Sequence, residues 1–116
     1  LLSVKVSKKT AYLGKAKILV EHSLKKDGDF SLVVRPEKLF LTDGKSVDIN
    51  SFTGTVEESI YQGESQLLII RLNPASHGDQ LLRMRIPNGS AALSELPLIG
   101  SKVTVGLKKS DSYLVE

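Results

Sequence analysis

Gly44-Lys45-Ser46 carries the closing residues of a phosphate-binding loop, in which backbone N–H groups wrap a phosphate and the lysine reaches toward it. The full motif needs a glycine five positions before Gly44, and that position is Leu39. A helix should also follow, aiming its N-terminus at the phosphate, whereas Val47 to Asn50 reads as a strand. The segment is therefore expected to be a turn with a solvated lysine, and the chain is expected neither to turn over ATP nor to be stabilised by it. His22 and His77 lie in separate polar stretches with no ligand set beside them, and both read as surface residues. Glu57 and Glu58 are adjacent, so on a strand they point to opposite faces and cannot act together as acid and base. No serine sits in Gly-x-Ser-x-Gly, and there is no cysteine, which removes thiolate catalysis, disulfides and thiolate metal sites. No catalytic, cofactor-binding or metal-ligating residue is expected.

Binding chemistry has somewhat more material. The formal net charge is only +3, so charge alone does not imply nucleic acid. Phe30, Phe40 and Phe52 sit among apolar neighbours and read as core, while Tyr12, Tyr61 and Tyr113 are scattered, so no strand offers the aromatic cluster that single-strand binding uses. Arg83 and Arg85 share one strand face, and with Lys108 and Lys109 they form a candidate anion patch, or else a solvated sheet face. A single-stranded nucleic-acid binder and a small-anion sensor thus stand as alternatives.

The elements that must hold these residues are strands. With 116 residues the chain suits one domain with one core, and its 41% hydrophobic and 25% charged residues are ordinary for a globular protein. Its longest purely aliphatic run, Leu67 to Ile70, is far too short to span a bilayer. Strand signals recur, period-two alternation foremost: Leu2 to Val6, Lys17 to Glu21 by its branched aliphatics, Phe30 to Val34 by its apolar run, Leu39 to Leu41, Val47 to Ile49, Phe52 to Tyr61, Gln66 to Leu72, Gln80 to Ile86, Lys102 to Leu107 and Tyr113 to Val115. Phe30 to Val34 is apolar enough to be buried on both faces. Turns fall at Lys8 to Thr10, at Asp27-Gly28, which predicts a hairpin into the Phe30 strand, at Asp43-Gly44, and at Gln62 to Ser65. Pro36 biases Arg35 to extended geometry and ends a strand. Gly54 within a strand predicts a bulge, a bend or a close backbone approach. Ser90 to Leu96 is at most a short helical connector before Pro97. The fold class is all-β, a small barrel of short antiparallel strands with little or no helix.

In order along the chain, Val34-Arg35-Pro36-Glu37, Leu39 and Leu41, Phe52-x-Gly54-x-Val56-Glu57, Tyr61-x-Gly63, Leu82-x-Met84-Arg85-Ile86-Pro87-Asn88, and Gly100 with Val103 and Val105 resemble a known module. It is similar to the C-terminal TOBE domain of ABC importer ATP-binding subunits, closest to the polyamine (spermidine/putrescine) type, with iron and sugar types near it. The first thirty residues match only in pattern, and Pro74 to Asp79 is longer than the turn the family often has there.

The resemblance implies an OB-like or MOP-like barrel over residues 1–116, a fragment of a longer ATPase subunit whose missing core carries ATP and Mg²⁺. Arg35, Pro36, Glu37, Gly54, Tyr61 and Gly63 match the signature and are implied as structural or subunit-contact residues. The implied partners are the ATPase core, the twin subunit of the dimer and, through the core, the permease. The implied location is the cytoplasmic face of the membrane, with no insertion into it and no nucleic-acid partner.

Overall fold

A computed structural model describes residues 2–21, 24–73, 80–87 and 96–115. Among them are ten strands, two single-turn 3₁₀ helices and no α-helix, so no helix is long and apolar enough to cross a membrane. In chain order the strands are β1 Leu2–Ser7, β2 Thr10–Leu13, β3 Ala16–Ile18, β4 Gly28–Val33, β5 Phe40–Leu41, β6 Ile49–Tyr61, β7 Ser65–Leu72, β8 Leu81–Pro87, β9 Lys102–Lys108 and β10 Tyr113–Val115. The 3₁₀ turns are η1, Pro36–Lys38, and η2, Lys109–Asp111.

The strands form two five-stranded antiparallel sheets, ordered β10-β4-β1-β2-β3 and β5-β9-β6-β7-β8. Alternation explains why they close on one core. Leu2, Val4 and Val6 of β1 point inward, as do Leu82, Met84 and Ile86 of β8, and one apolar cluster including Leu32, Phe52, Ile70 and Leu107 joins both sheets. The chain passes between the sheets through η1 and η2, and amide side chains tie them together. Gln80 accepts from Ser3 N–H at 2.7 Å and donates back to Ser3 C=O at 3.2 Å. Asn50, only 3% exposed, accepts from Leu19 N–H and donates to Leu19 C=O, each at 2.7 Å, and donates to Ser112 Oγ at 2.9 Å.

Several pairings differ from the sequence expectation. β4 pairs with β1 and β10, so Asp27-Gly28 does not close a hairpin with the strand before it. β4 is not buried on both faces either; only Leu32 is fully inside. β3 stops at Ile18 and does not reach Glu21, because Asn50 takes both peptide groups of Leu19. Thr10–Leu13 is a strand where no strand was expected beyond the Lys8 to Thr10 turn. Asp43-Gly44 is a connection across β9 and not a hairpin, since β5 and β6 each pair with β9. Val47 is 84% exposed and outside β6. A bulge between Val56 and Glu58 breaks parity, leaving Ile60, expected to face with Phe52 and Val56, 41% exposed and both Glu57 and Glu58 toward solvent.

The β1–β2 turn is strained. Lys8 and Lys9 adopt φ of 51° and 64°, the two positive values of a type I′ turn that Asn-Gly fills most easily. Replacing Lys8-Lys9 with Asn-Gly is expected to raise stability by about 1 kcal/mol net, the relief of strain being partly offset by the freer unfolded glycine. Thermal denaturation checks this: an unchanged or lowered Tm would show that the lysines are at ease there.

Candidate functional site

The signature residues occupy three places. Pro36 opens η1, Arg35 before it is extended at φ −92° and ψ 122°, and Lys38 N–H donates to Arg35 C=O at 2.9 Å. This is the strand end that Pro36 dictates. Arg35 and Glu37 are both exposed and make no ion pair with each other or with any described residue, so among the described residues they tie this corner to no neighbouring loop. Tyr61 and Gly63 form the β6–β7 tip. Gly63 has φ of 84° at the first position of the two-residue loop, Gln62 N–H donates to Ser65 C=O at 2.8 Å, and the Tyr61 hydroxyl donates to Gly63 C=O at 2.8 Å. The Tyr61 ring is held over its own turn and remains 68% exposed.

Gly54 lies mid-strand, paired with Leu72 on one side and Val103 on the other. A Cβ there would lie 2.5 Å from Arg71 O and 2.8 Å from an Ile70 methyl, so the expected close backbone approach is present, and the bulge follows two residues later. Seven residues along β6 separate Gly54 from Tyr61, roughly 20 Å at strand rise. Signature residues so placed cannot act on one small ligand.

Over Gly54 opens a concavity of about 670 Å³ lined by Thr53, Thr55, Thr104, Lys102 and the Glu57–Arg71 pair. Arg71 Nε donates to Glu57 Oε1, and Nη2 approaches Oε2 at 3.5 Å. Both side chains are substantially exposed, so the pair contributes only about 0–1 kcal/mol. Three hydroxyls and two cations can hydrogen-bond a polar or anionic group. No nucleophile–base pair lies among the lining residues, and no group of His, Asp and Glu able to hold a metal occurs among the described residues.

Other expected sites resolve as follows. Gly44-Lys45-Ser46 is an exposed turn in which Asp43 Oδ1 accepts from Lys45 N–H at 3.0 Å, and strand β6 follows instead of a helix. Arg83 and Arg85 are exposed on the edge strand β8, whereas Lys108 ends β9 beyond β6 and β7; three strand spacings, about 14 Å, divide the candidate anion patch. His22, His77, the Pro74 to Asp79 linker, Asn88 and the connector from Ser90 to Glu95 lie outside the described residues. Sequence reasoning singled out neither Asn50 nor a cluster of Lys9, Lys17 and Lys25, and it placed Lys109 with Arg83 and Arg85 instead. Asn50 carries no motif, and the lysines Lys9, Lys17, Lys25 and Lys109 are brought around one hollow only by the tertiary fold.

The family model described as TOBE domain matches residues 32–115, beginning at the end of β4 and including all of the second sheet. The cytoplasmic molybdate-binding protein ModG, in a crystal form with molybdate bound, superposes with a TM-score of 0.73 at 17% identity, covering 97% of this chain and 92% of that one. At that identity the likeness is one of fold. None of the curated proteins compared matches the sequence.

Proposed function

The chain belongs to the TOBE domain family, and from that premise we propose that it is the accessory, regulatory domain of an ABC transporter ATP-binding subunit in a polyamine-type importer. The observation that carries this reading is the outward display of the signature side chains: Arg35 and Glu37 stand exposed at the η1 corner, and Tyr61 stands exposed at the hairpin tip. Backbone devices hold each in place while its side chain is offered to something outside the domain. In the proposed subunit ATP and Mg²⁺ belong to the nucleotide-binding core, and this domain supplies no catalytic group. Its partners are that core and the twin subunit, with the permease reached through the core at the cytoplasmic face of the membrane. The domain then biases the open and closed states of the dimer to the extent that its contacts differ between them. The polyamine assignment rests on the Pro87-Asn88 region that closes the Leu82-x-Met84-Arg85-Ile86-Pro87-Asn88 stretch, whose Leu82 to Pro87 lie in β8.

The test places Arg35→Ala and Glu37→Ala in the complete ATPase subunit, reconstituted with its permease. Transport, or its coupling to hydrolysis, is expected to change about fivefold, the low end of ordinary site-to-site coupling, with nucleotide affinity nearly constant. Unchanged transport in both variants would leave these residues as strand-end structure and move the contact to the Tyr61 loop. A reading frame upstream of Leu1 that encodes no Walker A core would sink the transporter reading altogether.

A small-anion sensor is the second reading, supported by the hydroxyl- and cation-lined concavity over Gly54 on a fold that a molybdate-binding protein shares. Calorimetric binding of molybdate that disappears in Lys102→Ala would transfer the function to that concavity.

A further inference from the structure

The first sheet carries a feature that the reading above leaves unused. An open concavity of about 700 Å³ at the β2–β3 end is bounded by Lys9, Lys17, Lys25 and Lys109, and none of the described residues that line it is acidic. These four lysines come from the β1–β2 turn, from β3, from the segment before β4, and from η2. Four like charges around one hollow repel one another, and only a bound anion converts that repulsion to attraction.

The arrangement is strained at its rim and fixed at its floor. The turn that brings Lys9 to the rim holds both of its lysines at positive φ, where Asn-Gly would sit without strain. The floor is also fixed: Asn50 pins the Leu19 peptide, and Asn50 and the Asp48 carbonyl together hold η2, since Asn50 bonds Ser112 and Lys109 N–H donates to Asp48 C=O at 3.0 Å. Such a hollow is preorganised for its occupant.

The rest of the lining decides the class of anion. Ile18, Val20 and Leu24 make the floor aliphatic, and Thr10 supplies the sole hydroxyl among the described lining residues. Among the described residues no glycine-rich nest or α-helix N-terminus faces it, and the Leu19 N–H is already taken, so they offer none of the directed donors that grip phosphate. β3 is the last strand of its sheet, so among the described residues one side of its main chain has no strand beside it. We propose that this edge and hollow dock an extended acidic segment of a partner protein, its carboxylates meeting the lysines and an aliphatic side chain seated on the floor. Lys17 on the short edge strand repels casual strand pairing, so a segment must bring negative charge to add there. The inference does not depend on the transporter reading.

The test uses the full chain and a fluorescein-labelled peptide, Gly-Asp-Glu-Asp-Leu-Val-Asp-Glu-Asp-Gly, followed by anisotropy near physiological ionic strength. Lys17→Glu with Lys25→Glu is expected to weaken binding at least tenfold, and replacing Leu-Val in the peptide by Ser-Ser to weaken it severalfold. Lys5→Glu with Lys45→Glu, which reverses as many charges elsewhere, should leave affinity within about twofold. Circular dichroism confirms that both variants fold. Equal loss in the two variants would reduce the site to general electrostatics and overturn the proposal, as would equal binding of the Ser-Ser peptide. Displacement of the peptide by pyrophosphate or single-stranded DNA at concentrations below the peptide's own Kd would assign the hollow to phosphates instead. A peptide that does not bind the native chain refutes the docking site outright.

Discussion

Replacing Asn50 by alanine is expected to lower stability by about 3 kcal/mol, roughly a 12 °C fall in Tm for a chain of this size. The side chain is 3% exposed and satisfies both peptide groups of Leu19 as well as Ser112 Oγ. Truncation leaves those groups without their partner at the seam between the two sheets, and an orphaned buried polar group costs about 1–3 kcal/mol. Ser112 keeps its own donation to Lys108 C=O at 2.9 Å, which limits the loss on that side. Asn50→Asp separates the lost donors from mere loss of volume. Burial raises the folded-state pKa of the introduced carboxyl above its unfolded value, so the penalty is smallest below the unfolded pKa and grows until pH passes the folded one. Chemical denaturation at acidic and neutral pH reads this difference. A loss under 1 kcal/mol in Asn50→Ala would mean that water replaces the amide and that the seam is held by apolar packing alone.

Gly54→Ala is expected to cost about 3 kcal/mol or more, at or above the usual range for overpacking, and failure to fold is the same outcome in stronger form. The new methyl group would meet the Arg71 carbonyl at 2.5 Å, and a main-chain atom of a paired strand cannot swing aside. Relief by moving β6 is blocked as well, because β7 and β9 flank it along this stretch. Gly106→Ala provides the internal comparison. Its methyl would meet the Phe40 ring at 2.7 Å, nearly as short an approach, but that ring belongs to a half-buried side chain on the two-residue edge strand β5 and can rotate away. Its cost is expected near 1 kcal/mol. Denaturant midpoints for the two variants measure the ordering, and a Gly54→Ala protein as stable as Gly106→Ala would show that β6 shifts as readily as a surface ring.

Period-two alternation is a local property, written by burial on one face of a strand, so the all-β class and most strand positions were legible before any pairing was known. The same holds for what Pro36 does to Arg35, for the two-residue turn at Gly63, and for the close approach at Gly54, each of which follows from one residue's backbone chemistry. The absence of a phosphate loop was legible too, since Leu39 occupies the place of the required glycine.

Partnership between strands is another matter, because alternation states which face is buried and not which edge lies beside it. Only the tertiary structure decided that β4 joins β1 and β10, that a bulge after Val56 turns Ile60 outward, and that the Leu19 peptide ends β3 on Asn50. It also decided that Lys9 and Lys109, from opposite ends of the chain, border one hollow, while Arg85 and Lys108, which looked like companions, stand on separated strands. Charge placement of this kind leaves no periodic trace, since solvated lysines satisfy the pattern equally well in every register.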